Sequence, residues 1–214
     1  MAKLRFNISI SLDGFVAGPN QSVDQPLGIG GERLHDWVVA LAAWREQHGM
    51  EGGEENENTQ VVEESLSNVG ATIMGRNMFG GHPGPWDQSD PWQGWWGDNP
   101  PFHHPVFVIT NYSRQPLKLA GGTTFYFVTD GIHKALERAF EAADGRDVAL
   151  GGGAKVAQQY LKAGLVGEME LHIVPILLGS GERLFDGAGD DLHGLELVRT
   201  IASDSVVHVK FARD

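Results

Sequence analysis

DVALGGGAKVAQQYLKAGLVGEMELHIVPILLGSGERLF, residues 147–185, is the stretch whose reading decides the fold. A short apolar run ends in Gly151-Gly152-Gly153, and Val156, Tyr160 and Leu161 then recur at helical spacing until Gly164 closes the segment in a C′ position. The spacing predicts strand, glycine turn and helix. Glycines at such a turn let backbone N–H groups approach a ligand, and a helix N-terminus carries roughly half a positive charge, so the turn suits a phosphate. A plain turn with no ligand is the alternative reading of the triplet taken alone.

Working outward, residues 3–10 place Leu4, Phe6, Ile8 and Ile10 at period two, predicting a half-buried strand. It runs into the turn-rich Ser11–Pro19 loop, which carries Asp13. From Glu32 to about residue 48, Leu34, Trp37, Val38, Leu41 and Trp44 follow a helical stripe with Asp36 beside it. The acidic stretch 49–58 predicts a solvated loop, and a helix is expected over 59–69 with Val62, Leu66 and Val69 inward. Ala71–Met74 then reads as a strand ending in Gly75-Arg76, Val106–Thr110 as one ending in Thr110, Asn111, Ser113 and Arg114, and Phe125–Thr129 as a third. The last precedes a helix that Asp130 is placed to cap, with Ile132, Ala135, Leu136, Ala139 and Phe140 on one face. Met169, Leu171 and Ile173 alternate, and 195–201 with 206–211 read as a terminal hairpin.

Alternating strands and helices followed by strands alone predict an α/β fold with a mostly parallel central sheet, flanking helices and a C-terminal antiparallel hairpin. Ligands of such sheets sit at strand carboxyl ends. Three such ends here carry phosphate-compatible groups: Gly75-Arg76, Thr110–Arg114 and Gly151–Lys155.

The 214 residues, 41% hydrophobic, suffice for one domain with a buried core. A net charge of −12 opposes nucleic-acid and membrane partners, and the absence of cysteine excludes disulfides and thiolate catalysis. The N-terminus shows no signal-peptide pattern, so a cytoplasmic protein is expected. Residues 80–105 hold four of the six tryptophans among Pro, Gly and Asp, as a cover over the body or a ligand contact. His82, His103 and His104 lie in the same loop without a metal-ligand spacing, so no metal is expected.

SLDGFVAG at 11–18, TIMGRNMF at 72–79, PVFVITN at 105–111, LGGGAKVAQQYLKAGLVGEMELHIVPILLGSGERLF at 150–185 and the closing strand pair together resemble the dihydrofolate reductase fold. They are most similar to its branch containing the C-terminal reductase domain of bacterial riboflavin biosynthesis. The resemblance implies NADPH as reductant. Arg76 would meet the 2′-phosphate, helped by Thr110, Asn111, Ser113 or Arg114, and backbone N–H groups of the Gly151, Gly152, Gly153, Ala154, Lys155 and Val156 stretch would hold the pyrophosphate. A cis bond within the triplet is also implied. Asp36, in LHDWV, matches a helical acid of dihydrofolate reductases, with Asp13 as the other candidate for the catalytic proton. Asn7 and Leu150 stand where the riboflavin branch carries a Lys and a Glu, which with the Trp-rich loop points to a flatter, more apolar substrate. The resulting expectation is an NADPH-dependent reductase acting on a C=N or C=O bond of a small pterin- or aminouracil-like heterocycle, in a possible homodimer. The alternative is a non-catalytic nucleotide-binding module on the same fold.

Overall fold

In the computed structural model, which describes residues 1–89, 91–189 and 192–213, the elements run in the expected alternation. They are β1 (Leu4–Ser11), β2 (Phe15–Ala17), α1 (Asp36–Val39), α2 (Ala42–Gln47), α3 (Thr59–Leu66), β3 (Val69–Gly75), α4 (Arg76–Phe79), β4 (Pro105–Ile109), β5 (Leu117–Lys118) and β6 (Thr124–Val128). After these come α5 (Gly131–Ala143), β7 (Asp147–Gly152), α6 (Ala154–Lys162), β8 (Glu168–Val174), β9 (Glu182–Arg183), β10 (Glu196–Ala202) and β11 (Val207–Ala212), with short 3-10 turns at Gly31–His35 and Ala120–Gly122.

The chain forms two compact units, each assembled from segments distant in sequence: Met1–Phe6 with Val69–Val166, and Asn7–Asn68 with Gly167–Asp214. In the first, strands lie in the order β1-β7-β3-β4-β6-β5, parallel except for the short β5 at the edge. Strands covered on both faces read as near-continuous apolar runs, and β3 and β4 do. On one face α5 packs on β3 and β4 through Ala135, Ala139 and Ala143, all fully buried. A Cβ at Gly70 would lie 2.5 Å from the carbonyl oxygen of Ala143, so glycine permits that close approach. The other face carries Val106, Val108, Phe125 and Phe127, clustered with Met74, Phe79 and Trp86. Here the 80–105 loop, described apart from Asp90, supplies the cover: Trp92, Trp96 and Phe102 pack partly buried on the same cluster.

In the second unit β10, β11, β8 and the latter part of β1 are neighbours, with β10-β11 and β11-β8 antiparallel, and β2 pairs with β9 in a separate small sheet. Leu34, Trp37, Leu41, Val62, Val174 and Val206 form its core.

Several sequence expectations change. The first strand is buried on both faces, for Arg5, Ser9 and Ser11 are buried along with Leu4, Phe6 and Ile10. The single helix over 32–48 is broken between α1 and α2, because Leu41 is extended and bridges Glu54: Ala42 N–H donates to the Glu54 carbonyl at 2.9 Å and Glu54 N–H to Ala40 at 2.8 Å. The acidic loop is therefore a backbone partner as well as a solvated segment, and it ends in Asn58, 2% exposed. In α3 the buried residues are Val61 and Val62, whereas Leu66 is 38% exposed and Val69 opens β3. Asp130 makes no side-chain cap to α5, which begins on Gly131 at φ +83°. The period-two and 3.6 patterns report burial along one element and carry no information on such long-range backbone partners.

Candidate functional site

Register places the three phosphate-compatible strand ends side by side. Met74 pairs with Gly152 across β3 and β7, and Gly75 with Ile109 across β3 and β4. A register shift between Ile73 and Met74 adds local twist where the two chains turn out of the sheet. Gly152 has φ +114° and its bond to Gly153 is cis. A Cβ at Gly75 would sit 2.8 Å from Val156 Cγ2, so the bare glycine lets α6 come against β3. A Cβ at Gly153 would meet nothing within 4 Å, leaving space ahead of the α6 N-terminus. No side chain caps that terminus, and its first turn, including Ala154 and the exposed Lys155, offers N–H donors to an anion. Val156 N–H already returns to the Gly153 carbonyl at 3.1 Å.

Arg76 opens α4 directly after β3, and Arg114 follows β4 after the exposed Asn111 and Ser113. Thr110 is buried, its N–H donating to the Val128 carbonyl at 3.0 Å and its hydroxyl oxygen accepting from Tyr112 N–H at 3.2 Å, so it holds the turn. Both arginines meet one ring: the Arg76 guanidinium carbon is 3.8 Å from the Trp86 centroid and that of Arg114 is 5.0 Å from it. Arg114 lies equally 5.0 Å from Phe127. Arg76 Nη2 donates to the His82 carbonyl at 2.9 Å, Arg114 Nη1 donates to the Trp92 carbonyl, and Arg76 Nε is buried with no partner. Among the described residues neither guanidinium is paired with a carboxylate. Burial lowers the proton affinity of both, and for Arg76 the charge of Arg114 lowers it further. Two partly buried like charges, held without a carboxylate among the described residues, have the chemistry to accept an anion.

Trp86 is the residue at which the two guanidiniums meet, and spacing alone did not single it out from its neighbours. Its indole N–H donates to the Tyr112 carbonyl at 2.8 Å, tying the loop to the β4 end. Trp92 and Trp95 donate to the carbonyls of Phe79 and Met78 at 2.8 and 3.0 Å, satisfying the last turn of α4. The loop thus braces the arginine-bearing turns, and the only signal for this in the sequence was the density of tryptophan.

Both carboxylate candidates lie in the second unit. Asp13 Oδ1 accepts the Ser11 hydroxyl at 2.6 Å and Leu178 N–H at 3.1 Å, and Oδ2 accepts Gly179 N–H at 2.7 Å. The Ser11 hydroxyl above all, with the two backbone donors, lowers its pKa to about 2. Asp13 is therefore an ionised clamp between the β1–β2 turn and the 178–179 loop. Asp36, the first residue of α1, is exposed.

The family model described as the RibD C-terminal domain matches residues 2–209. Among solved structures, a protein of Shewanella sp. PV-4 assigned to riboflavin biosynthesis is 20% identical, with a TM-score of 0.60 over 100% of this chain and 99% of that one. The Thermotoga maritima diaminohydroxyphosphoribosylaminopyrimidine deaminase/5-amino-6-(5-phosphoribosylamino)uracil reductase is 14% identical, TM-score 0.57, with 100% of this chain covering 57% of its length. Dihydrofolate reductase from Enterococcus faecalis, solved with NADP(H), is 10% identical, TM-score 0.52, over 99% and 96% of the two chains. At these identities the likeness is one of fold. No curated protein sequence matches the chain.

Proposed function

The chain belongs to the RibD C-terminal domain family, and on that premise we propose that it is an NADPH-dependent reductase delivering hydride to a C=N or C=O bond of a small heterocycle of the pterin or aminouracil kind. The observation that carries the proposal is the pair Arg76 and Arg114, gathered at one ring without a carboxylate among the described residues. A phosphate dianion would relieve their repulsion and take up the orphaned Arg76 Nε–H. NADPH carries such a group at its ribose 2′ position, and NADH does not. The α6 N-terminus and the open space at Gly153 suit a second anionic group, the pyrophosphate.

When bound, NADPH supplies the hydride, and the protein's task is to bind and orient. Arg76, Arg114 and the α6 turn fix the phosphates, and Val156 packed against Gly75 fixes the distance between β3 and that turn. Asp13 is held as the carboxylate by three donors and has no proton to give near neutral pH. The proton therefore comes from water, with Asp36 as the exposed carboxylate able to relay it. The Thermotoga relative's name specifies an aminouracil reductase, and the chain spans little more than half that protein. Leu150, buried at 2% exposure, offers no acid to a substrate, which supports a less polar heterocycle than a phosphoribosylaminouracil.

The test is titration with NADPH and NADH, followed by thermal shift and tryptophan fluorescence. Tighter binding of NADPH is expected, and no shift or quenching at millimolar cofactor would overturn the reading. The exposure of Asp36 favours one second reading, a nucleotide-binding module without turnover. It predicts the same cofactor binding with no oxidation of NADPH by any pterin, aminouracil or quinone-like compound.

A further inference from the structure

We infer that Trp86 is the positioning residue that sets the preference for a 2′-phosphorylated cofactor, by holding Arg76 and Arg114 together around one ring while leaving their charge unspent. The inference rests on the NADPH reading above and assigns it a determinant in the Trp-rich loop. Two guanidiniums brought close repel, and most proteins hold such a pair with a carboxylate, which neutralises what it holds. Among the described residues the restraints here are neutral. Each guanidinium donates to a loop carbonyl, Arg76 to His82 and Arg114 to Trp92, and both lie at the electron-rich indole of Trp86. A ring attracts a cation through its quadrupole and leaves the N–H edge available to another acceptor.

The ring itself is immobilised from three sides. Phe79 meets it edge to face at 5.8 Å and Phe127 at 5.0 Å, and its N–H is bound to the Tyr112 carbonyl. Trp86 is 7% exposed, so it contributes no surface of its own to a ligand. Neighbouring tryptophans do different work: among the described residues no guanidinium lies over Trp92, Trp95 or Trp96. The chemistry recognised is therefore a phosphomonoester dianion, read by two preorganised cations whose spacing a ring maintains.

The experiment compares NADPH and NADH dissociation constants for the wild type, Trp86→Leu and Trp86→Phe. Loss of the ring is expected to weaken NADPH by about tenfold or more while NADH changes less than about twofold, and Phe, which keeps a ring, is expected to restore a good part of the preference. An equal loss for both cofactors, or an undiminished preference in Trp86→Leu, would overturn the inference. If the wild type shows no preference for NADPH, the cofactor reading itself fails, and that outcome is distinct. Should Trp86→Leu not fold, wild-type protein grown on fluorinated tryptophan serves instead. Fluorination empties the ring of electron density with little change in shape, so the preference for NADPH over NADH should fall as fluorines are added, and a constant preference would overturn the inference.

Discussion

His172 and His208 face each other across β8 and β11 with their Nδ1 atoms 2.8 Å apart, and His208 Nε2 lies 3.0 Å from Asn58 Oδ1. Because the Asn58 oxygen can only accept, His208 Nε2 carries the proton, its Nδ1 accepts, and His172 Nδ1–H donates. Both rings are neutral in this arrangement, and Trp37 packs against each at 4.9 Å. Burial first, then the charge of His208 and of His35, lowers the pKa of His172 to about 3, and burial with the nearby Arg199 lowers that of His208 to about 4.

Acid should therefore destabilise the protein well above the carboxylate range. Between about pH 6.5 and about 4 the unfolded chain binds protons at these histidines that the folded chain refuses, so stability rises with pH through that window. His104, lowered to about 4 by burial and by Arg146 and His103, acts in the same direction. Urea midpoints measured from pH 7 down to pH 4 should fall steadily, and a flat profile over that range would show that the pair takes up a proton without cost.

Arg76→Ala should weaken NADPH by about tenfold to a hundredfold and NADH by less than about threefold, since a charge-assisted bond to phosphate is worth roughly 1.5–3 kcal/mol. Isothermal titration of the two cofactors checks this. Equal losses would assign Arg76 to the α4 turn and not to the ligand.

Gly75→Ala puts a methyl group 2.8 Å from Val156 Cγ2. Overpacking of that kind costs about 1–3 kcal/mol. Thermal melts should show the single variant destabilised and the double variant with Val156→Ala recovering much of the loss, because the second change removes the atom that clashes.

Asp13→Asn should lower thermal stability, because an amide is a weaker acceptor for the Leu178 and Gly179 N–H groups and for Ser11. Asp13 has its pKa depressed on folding, so its contribution is complete above about pH 3.8, the unfolded value, and fades as pH falls toward about 2. The pH dependence of turnover near neutrality should be the same in both proteins. A new alkaline or acidic limb in the variant would reinstate Asp13 as a proton donor.

Asp36→Asn tests the remaining carboxylate. With the side chain at the surface, water can replace it, and turnover should fall by less than about tenfold, below the contribution of a committed general acid. A drop of about a thousandfold with unchanged NADPH affinity would make Asp36 the acid of the reaction.

The site was legible to different depths. Gly75-Arg76 and the triplet stood out because only glycine allows the turn and the close approach that Gly152 and Gly75 make. Trp86 did not, since one tryptophan in a loop of four is told apart only by which cations fold against it. The buried His172–His208–Asn58 chain was hidden for the same reason: in sequence these residues sit in an alternating strand, a terminal hairpin and an acidic loop.

By itself the sequence determined the alternation of elements, the α/β class and the three strand ends, because hydrophobic period and glycine chemistry are local properties that survive without knowledge of neighbours. Only the tertiary structure decided that Leu41 would leave a helix to pair with Glu54, that Asp13 would be consumed as a clamp, and that two arginines would share one ring. Each of these is a contact between residues far apart in the chain or between like charges, and its free energy exists only once the partners are brought together.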